Sequence, residues 1–381
     1  MIQFTTPADS HTLNMAFNNH IIRFYSNNAP NALYAEIAGL TTPALRLYPA
    51  PDNTFFFNFK PYVSALINTH DFEDTVQPEI SSGNADSFVY NIASKVFLQR
   101  PVIIKIFLPD NVQDTHSVTL SWLAGVQQPG DPAEYAVSDT LVLSPHKKDA
   151  LNAYYLKYWQ GYPFDVPVYA NVTGLTIKNE TNLLSAQFPL GGYGSRLFIS
   201  DGRTDESLED VLPLATGFNS LRIMRDEVDY SDDDKFIHLE KMPYKCGVYL
   251  KWLNAMGAYS YWLFEDTYSI DRTTKHLGEL DRDNSNLADT VARTAQIGKE
   301  SVDTLKVVAE LLTEDESRIV QGILDSPKIY LFTGQPYARN GYRNWLGVVL
   351  KTTSARLKNP RQPLTNFAFD IELPTRYTQV L

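Results

Sequence analysis

Val248-Tyr-Leu-Lys-Trp252, then Asn254-Ala-Met-Gly257, then Tyr259-Ser-Tyr-Trp-Leu263 is the stretch whose reading decides the fold. In an extended chain side chains alternate between faces, so Val248, Leu250 and Trp252 share one face. Tyr259, Tyr261 and Leu263 share another, and Asn254–Gly257 supplies the turn between them. The pattern predicts a β-hairpin. With Tyr and Trp on both faces, one face would stay exposed in a monomer unless something covers it, and oligomerisation is the expected cover.

The same alternation extends outward from the hairpin. Upstream, Val166–Ala170, Leu175–Lys178, Leu183–Phe188, Arg196–Ser200 and Leu221–Met224 recur at the spacing of sandwich strands. Nearer the N-terminus, Ile21–Tyr25, Ala32–Leu40, Ala44–Tyr48 and Phe55–Phe59 are punctuated by Pro, Asn and Asp. A helical turn is expected over Tyr62–Ile67 after Pro61, followed by strands at Phe88–Leu98, Val102–Leu108 and Val118–Leu123. The loop Pro129-Gly-Asp-Pro132 marks a first boundary region.

Downstream, the charged and polar stretch from Glu265 to Asn286 reads as a long excursion, a flexible arm or a second boundary. Thr304–Leu312 fits a strand with Leu305, Val307, Ala309 and Leu311 inward. Val302, Leu305, Ala309 and Leu312 also fit a helical face, so periodicity leaves the choice open. Thr313 with Glu316 three residues on makes a capping box before Ile319, Val320, Ile323 and Leu324, and Pro327 ends that helix. Lys328–Phe332, Trp345–Thr352 and Phe367–Leu373 should close the chain as strands. The fold class expected is mainly β with few helices, a β-rich α+β chain of tandem antiparallel β-sandwich or barrel-like domains. Its divisions are a β-rich region 1–150, a central β-sandwich 151–270 carrying the hairpin, and an α+β region 271–381 that packs with the centre. The lack of a short fixed repeat argues against propellers and solenoids.

Composition narrows the function classes. A 381-residue chain that is 44% hydrophobic and 12% aromatic has ample material for cores and is not disordered. Its net charge of −11 opposes binding to nucleic acid or anionic membrane. Lys147-Lys148 and Arg356–Arg361 are the nearest basic patches and read as solvated loop charges. Cys246 stands alone, which leaves no intramolecular disulfide or multi-cysteine metal site, and beside Gly247 it reads as a small buried hydrophobe. The first residues have no signal-peptide pattern and no stretch reaches about 18 apolar residues, so synthesis in a cytosol without membrane insertion is expected. Asn171-Val-Thr and Asn179-Glu-Thr read as accidental sequons.

Tests for chemistry return nothing specific. The seven histidines (11, 20, 70, 116, 146, 238, 276) lack metal-ligand spacing. Asp281-Arg-Asp-Asn-Ser285 resembles a calcium loop, but Asn286 replaces its glycine and Ala292 its final glutamate. Asp229–Asp234 reads as a solvated turn, and Gly191, Gly192 and Gly194 as a turn before Arg196–Ser200. His70, Asp71, Glu73 and Asp74 read as a hydrated loop after a short helix. No G-x-S-x-G elbow exists, and a dispersed Ser/His/Asp triad has no sequence signature. Tyr154-Tyr155, Tyr158-Trp159, Trp252, Tyr259 and Tyr261-Trp262 could stack on sugars or anchor an interface, although alternation favours core. No catalytic, cofactor-binding or metal residues are assigned, no cofactor is expected, and the chain is not read as an enzyme.

Cys246-Gly-Val-Tyr-Leu-Lys-Trp-Leu-Asn254, followed by Gly257 and Tyr259–Phe264, resembles virion structural proteins of tailed bacteriophages of Bacteroidota. Phe55–Lys60 with Val63–Asn68, Trp159–Asp165, and Ile371-Glu-Leu-Pro-Thr-Arg-Tyr-Thr-Gln379 are similar to the same group. The resemblance implies a tail or baseplate component, such as a distal-tail-like ring of β-sandwiches. Its partners would be further copies of itself and other tail proteins, and its place the virion assembled in the host cytoplasm. Segments such as Asp266–Asn286 would be arms that order on contact. The rival readings are a carbohydrate- or receptor-binding tail module gripping host surface glycan, a capsid or decoration protein, and last a glycan depolymerase.

Overall fold

Short runs with one buried face, separated by turn residues, produce a chain dominated by strands. The computed structural model describes all residues except 29–30, 70–71, 77, 79, 81–83, 110–111, 132–133, 149–151, 203–206, 226–233, 266–267, 282–293, 335–344, 359–361 and 381. The first elements are β1 (Ile2–Thr6), β2 (Leu13–Met15), β3 (Ile21–Ser26), β4 (Tyr34–Ala38), β5 (Leu45–Leu47), β6 (Phe55–Asn58) and α1 (Lys60–Ile67). Then come β7 (Val89–Asn91), α2 (Ala93–Val96), β8 (Phe97–Phe107), β9 (Gln113–Leu123) and β10 (Leu141–Val142). The middle holds β11 (Ala153–Trp159), β12 (Phe164–Tyr169), β13 (Gly174–Asn179), β14 (Leu184–Pro189), β15 (Ser195–Ser200), β16 (Gly217–Met224) and β17 (Lys235–Met242). The hairpin is β18 (Gly247–Leu253) and β19 (Tyr259–Glu265), followed by β20 (Tyr268–Asp281) and β21 (Thr294–Leu312). Last are α3 (Glu314–Gln321), β22 (Ile329–Phe332), β23 (Trp345–Leu350) and β24 (Thr365–Glu372).

Two sheets, β1-β3-β6 and β2-β9-β8-β4-β5, face each other across one core. In β8 the alternation is clean: Val102, Ile104 and Ile106 are buried, whereas Pro101 and Ile103 are exposed. Their partners across the core include Ile22, Phe24, Phe55 and Phe57. The second core lies among three sheets, ordered β10-β12-β15-β7, β11-β17-β16-β13-β14 and β19-β18-β22-β23-β24-β21-β20. Pairing is antiparallel except β2 with β9 and β11 with β17, which are parallel. The mainly β class is therefore carried by the chain itself. Phe88 and β7, from the region 1–150, belong to the second core and its sheets, while Tyr169, Met256 and Ala258 join the first. Residues after 270 share one sheet with the hairpin.

Local signals explain most boundaries. Thr313 Oγ1 accepts from the Glu316 backbone N–H at 3.4 Å and Glu316 Oε2 accepts from that of Thr313 at 2.9 Å, the reciprocal capping box read from sequence. Pro61 opens α1, where its missing N–H has no helical partner to lose, and Val63 and Ile67 are buried one turn apart. The strand-like stretch Phe88–Leu98 is broken into β7, α2 and the start of β8, because Asn91 Oδ1 accepts from Ala93 N at 2.7 Å and turns the chain. The open choice at Thr304–Leu312 resolves to strand: β21 pairs antiparallel with both β20 and β24.

Candidate functional site

The aromatic hairpin is interior on both faces, which corrects the expectation of one exposed face. Leu250 stands opposite Trp262 and Val248 opposite Phe264, and this face meets Trp159 and Phe369 at ring separations of 5.0 and 6.0 Å. On the other face Tyr249 and Tyr261 stack at 6.0 Å and meet Tyr162, Phe332 and Trp345. Trp252 is 0% exposed. The cover is supplied by strands far along the same chain, which no local pattern reveals. Tyr154, Tyr155, Tyr158 and Trp159 are likewise buried, so none of these rings is a platform for a sugar.

Against the second face lies a closed cluster of four charges. Asp165 on β12 and Arg196 on β15 come from neighbouring strands, and Lys251 on β18 stands directly opposite Tyr261 on β19. Arg196 Nε donates to Asp165 Oδ2 at 2.5 Å, and its Nη1 donates to both oxygens of Asp74 at 2.9 and 3.0 Å. Lys251 Nζ donates to Asp74 Oδ2 at 2.6 Å, while Tyr261 Oη donates to Asp165 Oδ2 at 3.0 Å. Burial alone would raise the Asp74 carboxyl, but Arg196 and Lys251 outweigh it and hold the group below the usual carboxylate range. Burial raises Asp165 against the pull of Arg196, and lowers the Lys251 ammonium to about 8 against the pull of Asp74.

Asp74 is thus no part of a hydrated loop. Its segment is held by further bonds: Tyr259 Oη donates to Phe72 O at 2.8 Å, and Lys95 Nζ donates to Glu73 O and Thr75 Oγ1, each at 2.7 Å. Beside it is a hollow of about 40 Å³, room for a few water-sized molecules. Two acids and two bases in balance, shut from solvent, clamp segments of the two cores together. His70 and Asp71 lie outside the described residues.

The most exposed feature is a ribbon of β20 and β21, where an excursion or flexible arm was expected. Its pairing runs from Tyr268 opposite Val307 to Asp281 opposite Thr294. Strand β24 accompanies β21 from Thr304 onward, so the reach Arg272–Asp281 with Thr294–Asp303 extends past it. There the chain end takes over: Leu373 N donates to Asp303 O at 2.9 Å, Arg376 N to Ser301 O at 3.3 Å, and Val380 bridges Gly298. Asp303 is held by Arg272 at 2.6 Å and Arg376 at 3.2 Å, and the Arg272 bonds lead in keeping its carboxyl down at about 2.

Among the described residues β20 pairs with β21 alone, so its outer edge is free. The core-facing rows of the sheet run out onto that edge. Phe369 and Val307 are buried and Tyr268 continues their row; Ile371 and Leu305 are buried and Ile270 continues theirs at 57% exposure. Leu277, Leu280 and Val380 add exposed apolar surface farther out. Sequence reading missed this strand because both faces of β20 are open to solvent. The periodicity of burial is absent there, and only its ladder with β21 holds it.

The remaining candidates fall as follows. Cys246 is exposed, not buried, since it precedes β18 rather than entering it. Asp234 is buried and paired with Arg222 at 2.5 and 2.8 Å, which corrects the solvated-turn reading at that end; Asp229–Asp233 lie outside the described residues. Gly191–Gly194 does form the turn before β15. Asp281 ends β20, whereas 282–286 and Ala292 are outside the described residues. Lys148 and Arg356 are exposed loop charges; 359–361 are not described. A Ser/His pair does occur, Ser260 Oγ with His146 Nε2 at 2.9 Å, but both residues are buried, and burial lowers the imidazole to about 3. Asn179 is buried, its Nδ2 donating to Pro213 O at 3.0 Å. Among the described residues there is no group of three or more His, Cys, Asp or Glu able to hold a metal ion, and no helix long and apolar enough to cross a membrane.

No protein-family model and no curated protein matches the chain. Among the likenesses to solved structures are two distant ones. One is to fibronectin(III)-like modules of Clostridium thermocellum CbhA, at 7% identity over 63% of this chain and 95% of that one, with a TM-score of 0.18. The other is to the insect immune protein hemolin, at 10% identity over 63% of this chain and 47% of that one, with a TM-score of 0.21. At such scores neither bears on function, and the β-rich class rests on the strands and sheets above.

Proposed function

We propose that this chain is a structural component of a tailed-bacteriophage virion, in the tail or baseplate, that works by associating with copies of itself in a ring and with neighbouring tail proteins. The observation that carries the reading is the β20–β21 ribbon, an extended strand pair whose outer edge is unpaired among the described residues and has an apolar row running onto it. Free edges with exposed apolar side chains are what monomeric proteins avoid and what strand-addition interfaces use. Because residues 268–281 are already extended, docking them forfeits less conformational entropy than ordering an unstructured arm. The resemblance of the hairpin and chain-end segments to phage virion proteins supplies the setting.

The rival sugar-gripping reading loses its support at the hairpin, whose Tyr249, Trp252, Tyr261 and Trp262 are buried and whose Tyr259 is half-buried against the core. Antibody labelling of intact virions of the encoding phage tests the location. Label at the tail end is expected; purified virions that contain none of this chain would remove the reading.

A further inference from the structure

A polar cleft that shares no lining residue with the ribbon or the charge cluster is built between residues 9–20 and the segments 127–131 and 134–139. Its volume, about 630 Å³, falls within the roughly 300–1,000 Å³ typical of small-molecule sites. The walls are fastened to each other. Leu13 N donates to Tyr135 O at 2.8 Å and Val137 N to His11 O at 2.8 Å, and Asn18 exchanges two bonds of 2.7 Å with the Gln127 backbone. Such a cleft is in place before any ligand arrives, which spares the ordering penalty of binding.

Its chemistry is specific in two respects. Asp9, Glu134 and Asp139 line it and, among the described residues, no lysine or arginine does, although Lys147 Nζ stands 3.5 Å from the Tyr135 hydroxyl; three acids against that one base disfavour phosphates, nucleic acids and acidic sugars. His20 lines it too. The ring Nδ1 accepts the Trp122 indole N–H at 3.1 Å, which in the neutral imidazole leaves Nε2–H as a fixed donor. Burial lowers this imidazole to about 4, so it stays neutral near pH 7. Asp9, Asp139 Oδ2, Asn14 Nδ2 and Asn19 Oδ1 are engaged in bonds within the protein, which fix them in place. The Glu134 carboxylate, Asn14 Oδ1, Asn19 Nδ2 and the His20 N–H are the acceptors and donors left to meet hydroxyl groups, which both donate and accept.

We propose that this cleft is a binding site for a short neutral oligosaccharide. The proposal does not rest on the assembly reading, since the cleft and the ribbon are different parts of the surface and a ring or a monomer would carry it equally.

Titration calorimetry of the full chain with maltotriose, cellotriose, mannotriose and chitotriose, and with sialyllactose as an anionic control, tests it. Saturable binding of at least one neutral trisaccharide is expected. Glu134→Ala and Asn19→Ala, both at exposed positions, should weaken it ten-fold or more, while Glu300→Gln on the ribbon leaves it unchanged. Hydrogen exchange of the unmodified chain gives a second readout, with sugar-dependent protection expected in 9–20, 127–131 and 134–139. Failure of all four neutral sugars to bind, stronger binding of sialyllactose, or binding without protection in those segments would overturn the site.

Discussion

Asp74 Oδ2 sits 2.6 Å from Lys251 Nζ although 177 residues separate them in sequence, and Arg196 grips the same carboxylate from the other side. With Asp165 the cluster holds two negative and two positive charges, each nearly inaccessible to water. Removing one member leaves a buried charge uncompensated, whatever the whole network contributes relative to an apolar core. Asp74→Ala is therefore expected to lower unfolding free energy by about 3–5 kcal/mol in denaturant titration. A loss below about 1 kcal/mol would show that the clamp is not closed.

Acid should loosen the fold before its carboxylates titrate. His20 and His146 are lowered by burial to about 4 and about 3 from 6.5, so below pH 6.5 the unfolded chain takes up protons that the folded chain refuses. Their stability contribution is complete above 6.5 and declines as pH falls toward 4, by about 1.4 kcal/mol per unit for each group at most. Asp165, raised by burial, acts in the opposite sense. The histidine part is isolated by comparing the wild type with His146→Gln, whose stability should fall less steeply between pH 6.5 and 4. Parallel curves would contradict the assignment.

How much of this was legible in sequence follows from where each signal originates. Alternation in Val248–Trp252 and Tyr259–Leu263 and the Thr313/Glu316 box are local, and both became the elements they predicted. What covers the hairpin depends on Trp159, Phe332, Trp345 and Phe369, brought in by topology. Asp74 looked hydrated because its neighbours are polar, while its partners come from β15 and β18. Strand β20 was hidden for the opposite reason: with neither face buried it has no burial pattern to betray it. The cleft had no motif at all, since it joins residues 9–20 to 127–131 and 134–139.

The hairpin turn also ties the two cores. Gly257 has φ +79°, in the left-handed region, and a Cβ there would overlap the Ala124 carbonyl oxygen. Gly257→Ala thus meets backbone strain and a backbone clash together, and a loss of about 2 kcal/mol or more is expected in thermal or denaturant unfolding. An unchanged midpoint would mean that the turn does not press on residue 124.

Assembly through the ribbon is the central claim, and the mass of the purified chain in solution, read by sedimentation alongside negative-stain images, tests it most directly. Rings of several copies are expected from the wild type. The double variant Ile270→Asp/Leu280→Asp, altered only at positions 57% and 53% exposed, should sediment as a monomer with its unfolding midpoint unchanged. A wild-type chain that stays monomeric at every concentration and binds no virion protein, or a double variant that assembles as well as the wild type, would contradict the account.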